Sequence, residues 1–219
     1  GGLGGFGRVL AEWLVECGAR HLILSSRSGA STPEAVEFVE KLRSNGIKTA
    51  VIKADSGSPE DVSRLIGAAR AGAVPLKGIF HLAMVIDDDP LSALTSERLR
   101  TVMAPKAHGA WLLHENTKDL PLDCFVMFSS VSSIFGNPAQ GNYAAANAFL
   151  DGLAWRLREQ GIPGLSVNFG PWSAGMADAE SRARLDKRGV RTLSPADALA
   201  GLADAMAAPD RWTTKSDHT

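Results

Sequence analysis

The sequence predicts an α/β fold built on a doubly wound parallel sheet. Three observations lead there. Apolar stretches of strand length alternate with helix-period segments along nearly the whole chain, the strand-like stretches are apolar on both faces, and a glycine-rich turn opens directly into a helical pattern. Strands buried on both faces belong to parallel sheets covered by helices on each side. A chain of 219 residues is long enough for one such domain with a substantial core.

The elements follow in order. Gly1–Gly7 (GGLGGFG) forms a tight turn, and a helical pattern runs from Arg8 to Cys17. His21–Ser25 (HLILS) reads as a short buried strand, and Pro33–Ser44 as a helix with Thr32 in front of its first-turn proline. Thr49–Lys53 is the next strand, then a helix over Glu60–Ala71 preceded by Ser58 and Pro59, and a strand over Gly78–Ala83. Ser96–Asn116 reads as one long helix, Cys124–Ser129 (CFVMFS) as a fully apolar strand, and a Ser/Gly/Asn/Pro loop leads into a helix from Tyr143 to Gln160. Leu165–Phe169 is the last clear strand, and Ser194–Ala207 a helix with Pro195 at its first position. Residues 171–191, rich in Gly, Ala and charge, read as a mobile lid or loop. Residues 1–207 are expected to form one catalytic domain, followed by a tail over 208–219 whose RWTTKSDHT end lacks any apolar pattern.

The bulk numbers narrow the function classes. Hydrophobic residues make up 45% and charged residues 21%, with a formal net charge of −1, so nothing electrostatic points to nucleic acid or an anionic membrane as a partner. No run of 18 apolar residues and no signal-peptide pattern is present, and a cytoplasmic protein is expected. Cys17 and Cys124 form no metal or redox motif and read as reduced, partly buried thiols. The chain starts at Gly1, inside the glycine motif, with no Met and no strand before it. It reads as a slice of a longer protein, truncated before a first strand that would lie between His21–Ser25 and Gly78–Ala83 in a 3-2-1-4-5-6 order. Two strand edges would then be left unpaired, so residues 1–219 alone are expected to fold poorly.

The chemistry-bearing residues cluster in three places. Gly1, Gly2, Leu3, Gly4, Gly5, Phe6 and Gly7 open a helix, where backbone can approach a pyrophosphate whose charge the helix N-terminus favours. A flexible structural turn is the plainer alternative. At the end of the next strand stand Ser26 and Arg27. In a Rossmann-type sheet this spot faces the adenosine ribose, where an arginine accommodates the 2′-phosphate and so points to NADPH, against the alternative of a solvated loop arginine. Asp55 ends the following strand where such folds contact adenine, unless it is a simple turn aspartate. The third place holds Tyr143, the only tyrosine, with Asn147 one turn on and on the same helical face. Ser129 and Ser130 lie at the carboxyl end of an apolar strand, where open α/β sheets place ligands, and Lys106 lies in the long helix before it.

In these segments (GGLGGFG, LILSSRSG, VMAPKAHGAWLLHE, DCFVMFSSVSSIFGNPAQGNYAAANAFLDGLAWR and NFGPWSAGMA) the chain resembles the short-chain dehydrogenase/reductase superfamily. Within it, the likeness is to the ketoreductase domains of type I polyketide synthases and vertebrate-type fatty-acid synthases. Most of the superfamily carries Tyr-x-x-x-Lys. In the synthase domains lysine and asparagine exchange places, and Lys106, Ser130, Tyr143 and Asn147 follow that exchanged order.

Those residue types suit ketone reduction. A developing alkoxide needs a proton donor, here Tyr143, and a free tyrosine with a pKa near about 10 is poorly matched to neutral pH. The Lys106 ammonium is expected to lower that pKa and to hold a ribose hydroxyl. Ser130 would polarise the carbonyl as a small oxyanion hole, and Asn147 would orient the lysine or a relay water.

Further positions rest on the resemblance alone. His81-Leu82-Ala83 matches the segment that packs on the cofactor ribose, with His81 and Ala83 as contacts. Asn168-Phe169-Gly170-Pro171-Trp172 matches the segment that reaches the nicotinamide, and Gly175-Met176-Ala177 the start of the lid. Ile86-Asp87-Asp88 stands where a Leu-Asp-Asp motif marks D-alcohol producers, Phe135 where a tryptophan marks the L class, and Pro138 matches a proline common in the D class. An acidic solvated loop over Asp87–Asp89 is the alternative. His108 and His114, six residues apart, do not share a helical face, and no metal site is expected. Trp13, Trp111 and Trp155 read as core residues.

The resemblance implies NADPH-dependent reduction of a 3-oxoacyl thioester, borne by an acyl carrier protein, to the 3-hydroxyacyl product in polyketide or fatty-acid biosynthesis. Other domains of the same synthase would be its further partners, with no nucleic acid and no membrane. The competing readings are a nucleotide-binding or epimerising domain without reduction, and a free-standing short-chain alcohol dehydrogenase.

Overall fold

The structure is a computed structural model that describes residues 1–172 and 192–208. Residues 173–191 and 209–219, which include most of the expected lid with Gly175-Met176-Ala177 and nearly all of the expected tail, lie outside the described residues. The chain divides into two compact units, Gly1–Asp55 with Gly170–Gly201, and Ser56–Phe169 with Leu202–Thr219.

In the first unit α1 (Gly5–Glu16), β1 (His21–Ser26), α2 (Pro33–Ser44) and β2 (Lys48–Lys53) alternate as expected. β1 and β2 pair in parallel, from His21↔Lys48 to Ser26↔Lys53. Thr32 caps α2 by accepting the Ala35 amide, and Pro33 gives up no bond at a position whose N–H is unpaired anyway. The same helix turns Ala35, Phe38, Val39 and Leu42 inward onto Leu3, Ala11, Leu24 and Ile47, which makes the core of the unit.

The second unit runs α3 (Pro59–Arg70), β3 (Gly78–His81), α4 (Ser96–Met103), α5 (Gly109–Glu115), β4 (Cys124–Ser130), α6 (Ser132–Phe135), α7 (Gly141–Glu159) and β5 (Gly164–Phe169). Its sheet has the order β3-β4-β5, all parallel. β4 is the middle strand, which is why CFVMFS is apolar throughout: Phe125 to Ser129 are all buried. Val62, Ile66, Ile79, Leu113, Leu150 and Leu157 pack around Phe125 and Met127. α8 (Pro195–Ala207) closes the described chain. The strand neighbours in both sheets are those that a 3-2-1-4-5-6 order gives to the corresponding strands.

Six readings of the sequence need correction. The single helix expected over Ser96–Asn116 is broken by a π-helical segment, Ala104–His108, between α4 and α5. Pro105 has no N–H for the α-helical ladder, so the turn widens there. The loop after β4 contains the short helix α6, and the helix of Tyr143 begins two residues earlier, at Gly141. β3 ends at His81, leaving Ala83 in the loop beyond it. Trp155 is 59% exposed rather than core, with the Arg158 guanidinium stacked on its ring, and Cys17, just past the end of α1, is exposed. Among the described residues no helix is long and apolar enough to cross a membrane.

Candidate active site

Lys106, Ser130, Tyr143 and Asn147 all belong to the second unit: Ser130 ends β4, Tyr143 and Asn147 lie in the first turns of α7, and Lys106 lies between α4 and α5. Tyr143 and Asn147 are one turn apart on α7, both buried, and the Asn147 Nδ2 donates to the Tyr143 carbonyl at 2.8 Å. Asn147 Oδ1 is fully buried and has no hydrogen-bond partner among the described residues. An orphaned acceptor of this kind is costly unless a water or a reacting group meets it. The hydroxyl of Ser130 accepts the Ser132 amide at 3.2 Å.

Lys106 lies in the π-helical segment, 2% exposed. Its Nζ donates to the Phe128 carbonyl of β4 at 2.6 Å and sits 5.6 Å from the centroid of the Tyr143 ring. Burial pushes its pKa down to about 8, against an upward pull from the Asp151 carboxylate. The widened turn that holds it is fixed from below by His81, whose Nε2 donates to the Lys106 carbonyl at 2.8 Å. Burial holds His81 down to about 3, so its ring is neutral and the proton is on Nε2. The side chain expected from the resemblance to meet a ribose thus supports the lysine backbone.

Burial also pushes the Tyr143 phenol above its ordinary value, and the Asn147 and Ser130 side chains pull it only partly back. The direction differs from the lowering expected from Lys106. The ammonium is engaged with Phe128 and burial dominates, so Tyr143 is fully protonated at neutral pH, as a proton donor must be.

The loop carrying Ile86, Asp87 and Asp88 is brought against the start of α7. Asn142, 1% exposed, donates to the Asp87 carbonyl at 2.8 Å and accepts the Tyr143 amide at 2.8 Å. Gln140 reaches Asp88 at 2.9 Å, and the Asp89 amide donates to the Ala139 carbonyl. On the other side Arg98 of α4 clamps Asp87 and Asp89 in a half-buried ion pair, with Nε 3.0 Å from Asp87 Oδ2. The three aspartates are therefore a tethered loop and not merely a solvated acidic run. Ile86, Phe135 and Pro138 are exposed.

The first unit holds the remaining expected cofactor contacts. The Gly2 amide ties the glycine turn to the Ser25 carbonyl of β1 at 2.9 Å. A Cβ on Gly7 would lie 2.3 Å from the Gly1 carbonyl oxygen, so only glycine lets the turn fold back on α1. No side chain caps α1 at Gly4, whereas Thr32, Ser58 and Thr95 cap α2, α3 and α4. This cradle fits a pyrophosphate. Arg27 is exposed just past β1, where a ribose phosphate could reach it, and Ser26 turns its hydroxyl to the Gly29 carbonyl. Asp55 is exposed beyond β2. Trp172 is buried and packs edge-on against Phe6 of the turn, which joins two expected contacts far apart in sequence; Gly170 and Pro171 precede it, half-buried. Among the described residues no group of three or more His, Cys, Asp or Glu could hold a metal ion.

Sequence reasoning missed Arg98, Asn142 and Asp151. For Asp151 a signal existed: it falls four residues after Asn147 and eight after Tyr143, on their helical face.

Known proteins give a consistent comparison. The family model described as KR domain matches residues 1–174. The chain is 40% identical over 218 residues to polyketide synthase GfsA of Streptomyces halstedii, covering 97% of this chain and 3% of that protein. It is 42% identical over 228 residues to the spectinabilin polyketide synthase system protein NorB of Streptomyces orinoci, covering 100% and 10%. Among solved structures, the first ketoreductase of the tylosin PKS matches with TM-score 0.86 at 40% identity, over 97% of this chain and 46% of that one. A structure titled as A-type ketoreductases from a modular polyketide synthase matches with TM-score 0.90 at 40% identity, over 97% and 45%. The chain thus spans a small part of its curated relatives and just under half of these solved chains.

Proposed function

The chain belongs to the KR-domain family of polyketide synthases, and from that premise we propose that it reduces a 3-oxoacyl thioester to the 3-hydroxyacyl thioester with NADPH. The observation that carries the reading is the set of buried Lys106, Tyr143 and Asn147 with half-buried Ser130, gathered around the carboxyl end of β4 and the first turns of α7. When bound, NADPH supplies a hydride to the carbonyl carbon. Tyr143 gives its phenolic proton to the oxygen as it becomes an alkoxide; burial keeps the phenol protonated beforehand, and even so it is a far stronger acid than the alcohol that forms. The Ser130 hydroxyl donates a hydrogen bond to the same oxygen and so stabilises the charge as it develops. Lys106, titrating near about 8, sits beside the ring to re-supply charge and proton, and the free Asn147 Oδ1 is the acceptor for a relay water.

Gly1–Gly7 would hold the pyrophosphate and Arg27 the 2′-phosphate. Gly170, Pro171 and Trp172 are assigned to the nicotinamide end. The substrate is proposed to arrive on an acyl carrier protein, within a cytoplasmic synthase whose other domains are further partners. The two free cysteines suit a reducing compartment. The D-configured product rests on the likeness of Ile86-Asp87-Asp88, Phe135 and Pro138 to the D class, and the loop held by Arg98 and Asn142 would be the element that steers the entering chain.

The test is incubation of the complete protein with a 3-oxoacyl thioester and NADPH deuterated at the transferable position. Deuterium at C3 of a 3-hydroxyacyl product supports the reading. Oxidation of no cofactor, or epimerisation without reduction, overturns it.

A further inference from the structure

Asp151 lies on the α7 face that carries Tyr143 and Asn147, two turns beyond the tyrosine. Its carboxylate is half-buried and fully engaged. Oδ1 accepts the Ser166 hydroxyl of β5 at 2.5 Å, and Oδ2 accepts the Ser133 hydroxyl of α6 at 2.7 Å and Asn168 Nδ2 of β5 at 3.0 Å. Two of those donors also reach the residue that matters for the reaction. Ser133 Oγ is 2.9 Å from the Ser130 carbonyl, and Asn168 Nδ2 is 3.2 Å from it and 3.2 Å from Ser129 Oγ. One carboxylate therefore ties three elements to the backbone from which β4 presents Ser130. Asn168, expected from the resemblance to lie in a cofactor segment, spends its side chain here.

We propose that Asp151 is a positioning residue that fixes the carboxyl end of β4, so that the Ser130 hydroxyl and the Tyr143 phenol keep one fixed relation. The proposal rests on the ketoreductase reading. A fold anchor alone would not need a charge at this depth, since an amide or a hydroxyl could bridge the same serines. The charge has a second use: it supports the Lys106 cation against burial. The groups around that cation are Asp151 and Tyr143 from α7, the Phe128 carbonyl from β4, and neutral His81 from β3.

Asp151→Asn keeps the shape but removes the charge and turns an N–H₂ toward donors. A lost charge-assisted hydrogen bond corresponds to about a ten- to hundred-fold effect. In the complete protein, kcat with a 3-oxoacyl thioester should fall at least about ten-fold. NADPH affinity and melting temperature should stay near wild type, and the basic limb of the kcat profile should move to lower pH. Ser133→Ala, which removes the hydroxyl between Asp151 and the Ser130 carbonyl but leaves the Asp151 charge and its bonds to Ser166 and Asn168, should lower kcat by a smaller factor and serves if the first variant fails to fold. Unchanged kcat in a folded variant, or a loss matched by equal losses of cofactor affinity and stability, overturns the proposal. A wild-type protein that does not reduce the thioester would instead bring down the functional reading, and this one with it.

Discussion

Lys106 is the place where function and stability pull apart, and Lys106→Met measures how far. The side chain is 2% exposed, and among the described contacts its Nζ donates one hydrogen bond, to Phe128. Its pKa falls from the ordinary 10.5 to about 8 on folding, which at about 1.4 kcal/mol per pH unit corresponds to roughly 3 kcal/mol. The folded value lies below the unfolded one, so between about pH 8 and pH 10.5 the unfolded chain binds the proton more tightly. Stability therefore rises with pH across that window, and below about pH 8 the cost of the buried ammonium is present in full. Methionine fills the same space without charge but loses the bond to Phe128, worth about 1–2 kcal/mol. The variant should be more stable by about 1–2 kcal/mol at pH 7, or a few degrees in melting temperature, and inactive. Melts of both proteins at about pH 7 and about pH 9.5 check this, the gap narrowing at the higher pH. A destabilised variant at neutral pH, or a gap independent of pH, would refute the reasoning.

Three further outcomes are expected. Arg27→Ala should weaken NADPH binding about ten- to a hundred-fold and leave NADH nearly unchanged, read by cofactor titration; equal losses would mean the guanidinium does not read the phosphate. Gly7→Ala, whose Cβ would meet the Gly1 carbonyl at 2.3 Å, should open the turn at a cost of about 1–3 kcal/mol and lower affinity for the nucleotide, whereas Gly67→Ala in α3, with nothing within 4 Å, should be neutral or stabilising. Chiral chromatography should find the D-configured alcohol from an unsubstituted 3-oxoacyl thioester, and a mainly L-configured product would contradict the role given to the Asp87–Asp89 loop.

Much of the fold was legible because its signals are local. Thr32 with Pro33 and Ser58 with Pro59 announce α2 and α3, and the apolar run over Cys124–Ser129 announces a middle strand. Where the sequence misled, a competing local preference won. Pro105 sits inside an otherwise continuous helical pattern, and only the three-dimensional chain shows that the result is a π-helical widening, which buries Lys106 rather than ending the helix. The members of the proposed catalytic set were readable as residue types, but their electrostatics were not: burial, which no periodicity reveals, raises Tyr143 and lowers Lys106. The supporting contacts were least visible. Arg98 and Asp87 are eleven residues apart, and Asn168 and Asp151 seventeen, so no helical or strand spacing connects them.

The central claim is that Tyr143 delivers the proton to the reduced ketone while others hold the cofactor. Tyr143→Phe in the complete protein separates those roles, with NADPH affinity and 3-oxoacyl thioester turnover measured on the same preparation. The account predicts NADPH binding within a few fold of wild type and turnover reduced at least about a hundred-fold, the scale of a lost general acid. Turnover that survives largely intact in that variant would contradict it.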